Sequence, residues 1–394
     1  MSDARQRRRS ARESILDAIR AAEPLSRVEL AAMTGLTEAA VSMTVRRLLD
    51  DGLVVETGLA PTGGKPRRLL RLDPAARLAV GIYLDEDTTT FVLTGQTGGV
   101  LSRLARPAPA TGDPDAVLQL AADVDLLLAG SGVDRARCLG VGVVWPGPRG
   151  GAVAPQDAPE HLRSWRGDEW GDRLSTVTGW PVLVENDATA AAVGEYWVAR
   201  VGPDRPFAAL YMGSSLGAGI VVDGRTMRGG GGNAGEFGHL CLQPDGPPCW
   251  CGSRGCLEVL AGPRTVVAAA LADPATAAEA GLTPGRSVAT DFAAIARAAK
   301  GNAPQSRALL DDSARYLAAA AESMVNLLDI DLVVLTGPGF AAASFVYGPA
   351  IMRRVAAADA RTWHRSVTVT VSLAAATASA TGAAALVLQS HLRR

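Results

Sequence analysis

The pattern of the chain changes at Asp73-Pro74, and that change limits what it can fold into. Before it lies a short, charged, helix-rich stretch; after it, apolar β-runs alternate with helical segments. In the first part Ile15, Leu16 and Ile19 recur at helical spacing, and Pro24 ends that helix. Ser26, with Glu29 three residues on, is a capping-box signature, and its short helix stops at Thr34-Gly35. Thr37 caps a further helix through Ala40, Val41, Val45, Leu48 and Leu49, closed by Asp51-Gly52. Residues 53–56 and 69–72 read as two short strands around a loop. Residues 1–77 are therefore predicted to form a winged helix-turn-helix.

The remainder carries strand-like runs at 78–84, 90–93, 138–144, 182–184, 208–212, 218–222, 332–335 and 367–371, with helical segments between several of them. This alternation predicts an α/β body with mixed sheets. A faint internal echo accompanies it. The run 139–144 ends in Trp145-Pro146-Gly147-Pro148, and 332–335 ends in Thr336-Gly337-Pro338-Gly339, as in a duplicated two-lobed fold. The stretch 367–388 reads as a buried strand followed by a small-residue helix.

Composition narrows the function classes. Of 394 residues, 48% are apolar and 20% charged, too few charges for a disordered chain. Net charge is −1, yet residues 1–77 carry 14 basic and 10 acidic side chains, leaving 25 against 30 in the rest. A basic front on an acidic body suits a DNA-contacting unit joined to something else. Charges at Arg12, Glu13, Asp17 and Arg20 leave no apolar signal-peptide core, so the expectation is a cytoplasmic protein without membrane partners.

In the helix after Thr37, an apolar stripe of Val41, Val45 and Leu48 is expected to pack inward. Thr37, Glu38, Ala39, Ser42, Met43 and Arg46 would then face outward. Small and hydroxyl side chains near a helix N-terminus let it approach base edges, while Arg46 and Arg47 suit phosphate. Lys65, Arg67, Arg68 and the tail 5–9 would add basic contacts. The rival role for this unit is protein contact, with its arginines a solvated face.

Cys249, Cys251 and Cys256 supply three thiols within eight residues, and His239 precedes them by ten. Such a set binds zinc tetrahedrally and leaves no open position, which predicts a structural site; the alternative is three buried free thiols. Cys138 and Cys241 read as core residues, and His161, His364 and His391 as surface or hydrogen-bonded ones. Glu185-Asn186-Asp187, Glu236 and Glu258 flank the cysteine loop. If a metal gathers the loops, Glu236, His239 and Glu258 converge as partners for adjacent sugar hydroxyls. Asp187 is a candidate general base, its rival role being a helix cap.

The runs 210–220, Ala234-Gly235-Glu236-Phe237-Gly238-His239 and 249–258, with Glu185-Asn186-Asp187-Ala188 and Trp145-Pro146-Gly147, resemble the ROK family of repressors, open reading frames and sugar kinases. The resemblance implies an actin-like (ribonuclease H-like) two-lobed ATPase-type body with sugar between the lobes. One lobe would span 78–199, completed by a C-terminal helix 381–394, and the other 200–380. Structural zinc would sit on His239, Cys249, Cys251 and Cys256. Sugar contacts would fall to Asn186, Asp187, Glu236, His239 and Glu258, with Gly147 near the sugar.

ROK kinases carry an Asp-x-Gly-Gly-Thr turn for ATP phosphates, where this chain has Tyr83-Leu84-Asp85-Glu86-Asp87-Thr88. Three consecutive acids repel phosphate, and no glycine permits the tight turn. Ser214-Ser215-Leu216 and Thr336-Gly337-Pro338-Gly339 also depart from the kinase pattern. The expectation is a regulator that binds operator DNA and a sugar or sugar-phosphate effector, as a homodimer or homotetramer, with Asp187 a vestigial base. The alternative is an ATP-dependent sugar kinase with an appended DNA-binding domain.

Overall fold

The computed structural model of the chain describes residues 10–60, 66–110, 113–147, 158–159, 163, 167–202, 204–359 and 366–392. Helices Ala11–Ala22, Arg27–Thr34 and Glu38–Asp50 begin the chain. They are interleaved with strands β1 (Leu25–Ser26), β2 (Val54–Ala60) and β3 (Arg67–Leu72), which form an antiparallel sheet in the order β1-β3-β2. The caps are those the sequence announces. Ser26 and Glu29 close a reciprocal capping box, Thr37 accepts the Ala40 amide at 3.3 Å, and Gly35 ends its helix at a φ of +68°. Val41, Val45 and Leu48 pack with Ile15, Ile19, Leu30 and Leu70 into one small core.

Two five-stranded sheets follow. The first contains β4 (Leu78–Leu84), β5 (Thr88–Gly95), β6 (Val100–Pro107), β7 (Cys138–Trp145) and β8 (Val182–Asn186), in the order β6-β5-β4-β7-β8. The second contains β9 (Phe207–Met212), β10 (Leu216–Val222), β11 (Arg225–Thr226), β12 (Leu332–Thr336) and β13 (Thr368–Val371), in the order β11-β10-β9-β12-β13. In both, the first three strands pair antiparallel and the last two join parallel. The duplication is thus complete at the level of topology, and it is the two-lobed, actin-like arrangement. The sequence echo lands on equivalent strands, since β7 ends at Trp145 before Pro146-Gly147 and β12 ends at Thr336 before Gly337, each strand fourth in its sheet.

Helices Asp187–Val198 and Ala378–Leu392 run between the sheets. The second helix is built of small residues because it lies directly on the strands: a Cβ at Gly81 of β4 would overlap the Ala380 carbonyl oxygen. Larger helices cover the outer faces. Ala116–Ser131 and Gly167–Thr178 pack on the first sheet, and Pro304–Leu328 and Pro338–Asp359 are among those on the second. One expectation needs correcting. The strand read as buried at 367–371 is an edge strand, and Thr368, Thr370 and Val371 are exposed, because nothing among the described residues pairs with its outer side. Among the described residues no helix is long and apolar enough to cross a membrane.

Candidate ligand pocket and DNA-facing surface

The end of β8 and the helix after it build one wall of a cleft. Glu185 is buried and ion-paired with Arg228 from the second lobe. Asn186 caps the helix: its side-chain oxygen accepts the Thr189 amide at 3.0 Å, and its Nδ2 donates to the Gly147 carbonyl at 3.2 Å. The cap is therefore Asn186 and not Asp187, whose Oδ1 accepts its neighbour Ala188's amide at 2.7 Å. That leaves the Asp187 carboxyl at the helix's first turn, lining the cleft.

The second lobe supplies the facing wall. Glu258 opens the helix Leu257–Ala261 and accepts the Leu216 amide at 2.7 Å, which ties the helix to the start of β10. Gly147, Asn186, Asp187, Glu236, His239 and Glu258, the six residues singled out from the sequence, all line one cavity of about 380 Å³. Tyr211, Asn233 and Trp250 line it too and were not foreseen; Trp250, lodged between two cysteines of the ligand set, was the one with a signal. Burial pushes the Asp187 carboxyl up to about 7, and the carboxylates of Asp85 and Glu236 add to it. Burial also raises Glu258 to about 7, opposed by the Leu216 amide. Among the described lining residues there is no lysine or arginine.

Beyond Asp187 the acidic turn sits between β4 and β5. Asp85 accepts the Glu86 amide at 2.9 Å, and Glu86 is ion-paired with Arg264 of the opposite lobe. The Tyr83 ring meets Tyr211 edge-on at 6.4 Å, and its hydroxyl faces Gly213 in the turn between β9 and β10.

The cysteine loop doubles back through bridges pairing Cys241 with Cys256 and Pro248 with Arg254. Ligand atoms of His239, Cys249, Cys251 and Cys256 lie within 4.8 Å of one another. Cys249 Sγ is 3.6 Å from His239 Nδ1, and Cys251 Sγ is 3.7 Å from Cys256 Sγ. A tetrahedron with Zn–S bonds of about 2.3 Å has edges of roughly 3.8 Å, so the donor set has the right type and spacing to hold a metal ion. Cys138 is buried as expected; Cys241 is exposed and belongs to this loop, which corrects its reading as a core residue. His391 Nδ1 is positioned to donate to the Val387 carbonyl at 3.1 Å.

On the N-terminal unit, Thr37, Glu38, Ala39, Ser42, Met43, Arg46 and Arg47 are exposed along one helix. Arg67 and Arg68 are exposed on β3, but Arg68 is ion-paired with Glu56, which Arg27 also approaches at 3.6 Å. Lys65, the tail 5–9, His161 and His364 lie outside the described residues.

The model of the ROK family matches residues 79–390. The chain belongs to the ROK family. A model of the MarR family matches residues 14–64, the N-terminal winged helix. Among relatives of this ROK chain, the xylose repressor of Caldicellulosiruptor bescii is 28% identical over 249 residues, covering 62% of this chain and 61% of that one. The chain thus spans less than two thirds of that relative's length. A solved structure described as a ROK family transcriptional regulator, a homologue of the E. coli MLC protein, shares the fold over 98% of both chains, with TM-score 0.71 and 23% identity. A ROK family glucokinase from Streptomyces griseus, solved with glucose and AMPPNP, is 28% identical with TM-score 0.63, over 79% of this chain and 99% of its own.

Proposed function

We propose that the chain is a sugar-responsive transcriptional repressor of carbohydrate-metabolism genes, acting on operator DNA as a homodimer or homotetramer. One observation carries the reading: a helix exposed on the N-terminal unit is joined to a body whose cavity is lined by Asp187, Glu236 and Glu258, with the acidic turn Asp85-Glu86-Asp87 beyond it. In this reading residues 1–77 read DNA. Residues 78–199, with the C-terminal helix, and 200–380 form the lobes that close on the effector.

Asn186, Asp187, Glu236, His239 and Glu258 bind adjacent hydroxyls, with Gly147 beside the ring; paired carboxylates and an amide satisfy vicinal hydroxyls two at a time. Of the two effector classes, sugar and sugar phosphate, the described lining suits the neutral sugar better. A phosphate buried among Asp187, Glu236 and Glu258 finds no lysine or arginine among the described lining residues, and an unpaired buried charge is costly. Zinc is the metal that suits His239, Cys249, Cys251 and Cys256. Bound there it would be structural, holding the cysteine loop against the segment that carries Glu236. With Nδ1 turned to the sulfurs, His239 keeps Nε2 for a hydroxyl.

Phosphoryl transfer depends on neutralising phosphate charge, and the turn Asp85-Glu86-Asp87 does the opposite. The chain is accordingly a sensor, without kinase activity. A second reading, a sugar kinase with a DNA-binding unit, is favoured by the Asp187 carboxyl near pH 7, where a general base works best. The deciding experiment titrates neutral monosaccharides and their phosphate esters into the purified chain bound to DNA selected from a random pool, alongside an assay for sugar phosphate from ATP. Release or tightening by a neutral sugar, with no turnover, is expected. Turnover abolished by Asp187→Asn would establish the kinase instead.

A further inference from the structure

The helix Asp187–Val198 is held at its two ends by different parts of the molecule. Its first residue lines the cavity, and Asn186 caps it there. At the far end Arg20, from the first helix of the DNA-reading unit, donates through Nη1 to the Tyr196 carbonyl at 2.6 Å and through Nη2 to the Val201 carbonyl at 3.0 Å. The guanidinium lies 3.9 Å from the centre of the Tyr196 ring, and the side chain is 3% exposed. Tyr196 belongs to the last helical turn, whose carbonyls lack intrahelical partners and carry the negative end of the helix dipole. A buried cation satisfies both.

A second tie lies alongside. Arg200 pairs with Glu23 at 3.0 Å, and the other Glu23 oxygen accepts the Leu72 amide of β3 at 2.9 Å, so the wing sheet is fastened to the same helix end. A helix of 12 residues is about 18 Å long and moves as one hydrogen-bonded rod. A displacement of its first turn would therefore be carried to its last.

Building on the sugar-responsive reading above, we infer that Arg20 is the residue through which pocket occupancy reaches the recognition helix. It touches neither sugar nor DNA; it positions one against the other. Coupling of this kind is a ratio of affinities, and it can be lost while each affinity survives.

The test uses the full-length chain, D-glucose and D-xylose as sugar probes, and a duplex selected by the wild-type chain from a random-sequence pool. Calorimetry gives sugar affinity, and fluorescence anisotropy gives DNA affinity with and without sugar. For Arg20→Ala we expect sugar affinity within about twofold of wild type and a sugar-induced change in DNA affinity reduced to about one, from a wild-type ratio of order 5–150. Arg20→Lys, which keeps the charge, should recover part of the ratio and serves if the alanine variant does not fold. A wild-type ratio in either folded variant, or equal losses in both affinities with the ratio unchanged, overturns the inference. If neither sugar binds the wild-type chain, the sugar reading falls and takes this inference with it. If wild type responds and Arg20→Ala responds equally, only the inference fails.

Discussion

Gly382 lies against the backbone of Ala190: a Cβ built on the glycine would overlap the Ala190 carbonyl oxygen. This contact is where the two helices between the sheets cross, one from the middle of the body sequence and one from its C-terminal end. Gly382→Ala has no flexible neighbour to displace and must push the helices apart. We expect a loss of at least about 2 kcal/mol, as in other overpacked cores, seen as a lower thermal midpoint. An unchanged midpoint would mean that the crossing is looser than described.

Asp187 carries opposed demands. Its folded carboxyl holds a proton up to about pH 7, whereas an unfolded one releases it near 3.8. The folded state binds the proton more tightly, so stability is unpenalised below the unfolded value and falls as pH rises towards 7. Asp187→Asn removes that penalty. Its thermal midpoint should exceed wild type at pH 8 and match it at pH 4, while sugar binding at pH 8, where the wild-type carboxyl is ionised, weakens by about tenfold or more through loss of a charged acceptor. A wild-type midpoint at pH 8 would contradict the burial argument.

Cys251→Ser removes one corner of the Cys₃His set. Metal analysis of the purified variant should fall well below one equivalent of zinc, with loss of the sugar response and retention of DNA binding. The response depends on the metal through place alone, since Glu236, Glu258 and His239 stand on the segments the cluster ties together. One full equivalent of zinc in the variant would mean a different ligand set.

The Glu86–Arg264 pair links the lobes across the cleft mouth, with both side chains about a third exposed. Solvent screening limits such a pair to about 1 kcal/mol or less, so Glu86→Gln should leave the melting temperature nearly unchanged. Its effect belongs to lobe closure. Sugar affinity should drop by no more than about fivefold, and the scattering radius of the ligand-free chain should increase. A drop well beyond that would point to direct sugar contact.

On the N-terminal unit, Arg46 has no ion-pair partner among the described residues, whereas Arg68 is engaged by Glu56. Arg46→Ala should weaken DNA binding and lower the salt slope by about one; Arg68→Ala should change the slope less. Equal slopes for the two variants would show that the Glu56 pair opens on DNA.

Local signals were readable without any structure. Ser26 with Glu29, Thr37, and Gly35 announced their caps because capping chemistry involves residues three or four apart. The stripe Val41, Val45 and Leu48 announced its own burial for the same reason. The cysteine spacing picked out side chains that gather into one Cys₃His cluster, and the residue types at Glu236, His239 and Glu258 picked out groups that line one cavity. Asn186 was readable as the amide beside Asp187, whereas Gly147 came only through resemblance to a family. Cys241 was misjudged because it belongs to an exposed loop and not to a core element, and the strand 367–371 because apolar side chains say nothing about whether their strand lies at a sheet edge.

What the chain order alone determined, then, was the identity of the parts: a winged helix, a duplicated α/β body, a thiol cluster and a set of carboxylates. What only the tertiary structure decided was their connection. Arg20 and Tyr196 are 176 positions apart, Glu86 and Arg264 178, and Gly382 and Ala190 sit on segments joined only through the whole second sheet. Periodicity and capping act over a few residues. Contacts between distant segments depend on which surfaces the sheets and helices bring together, and no local pattern encodes that.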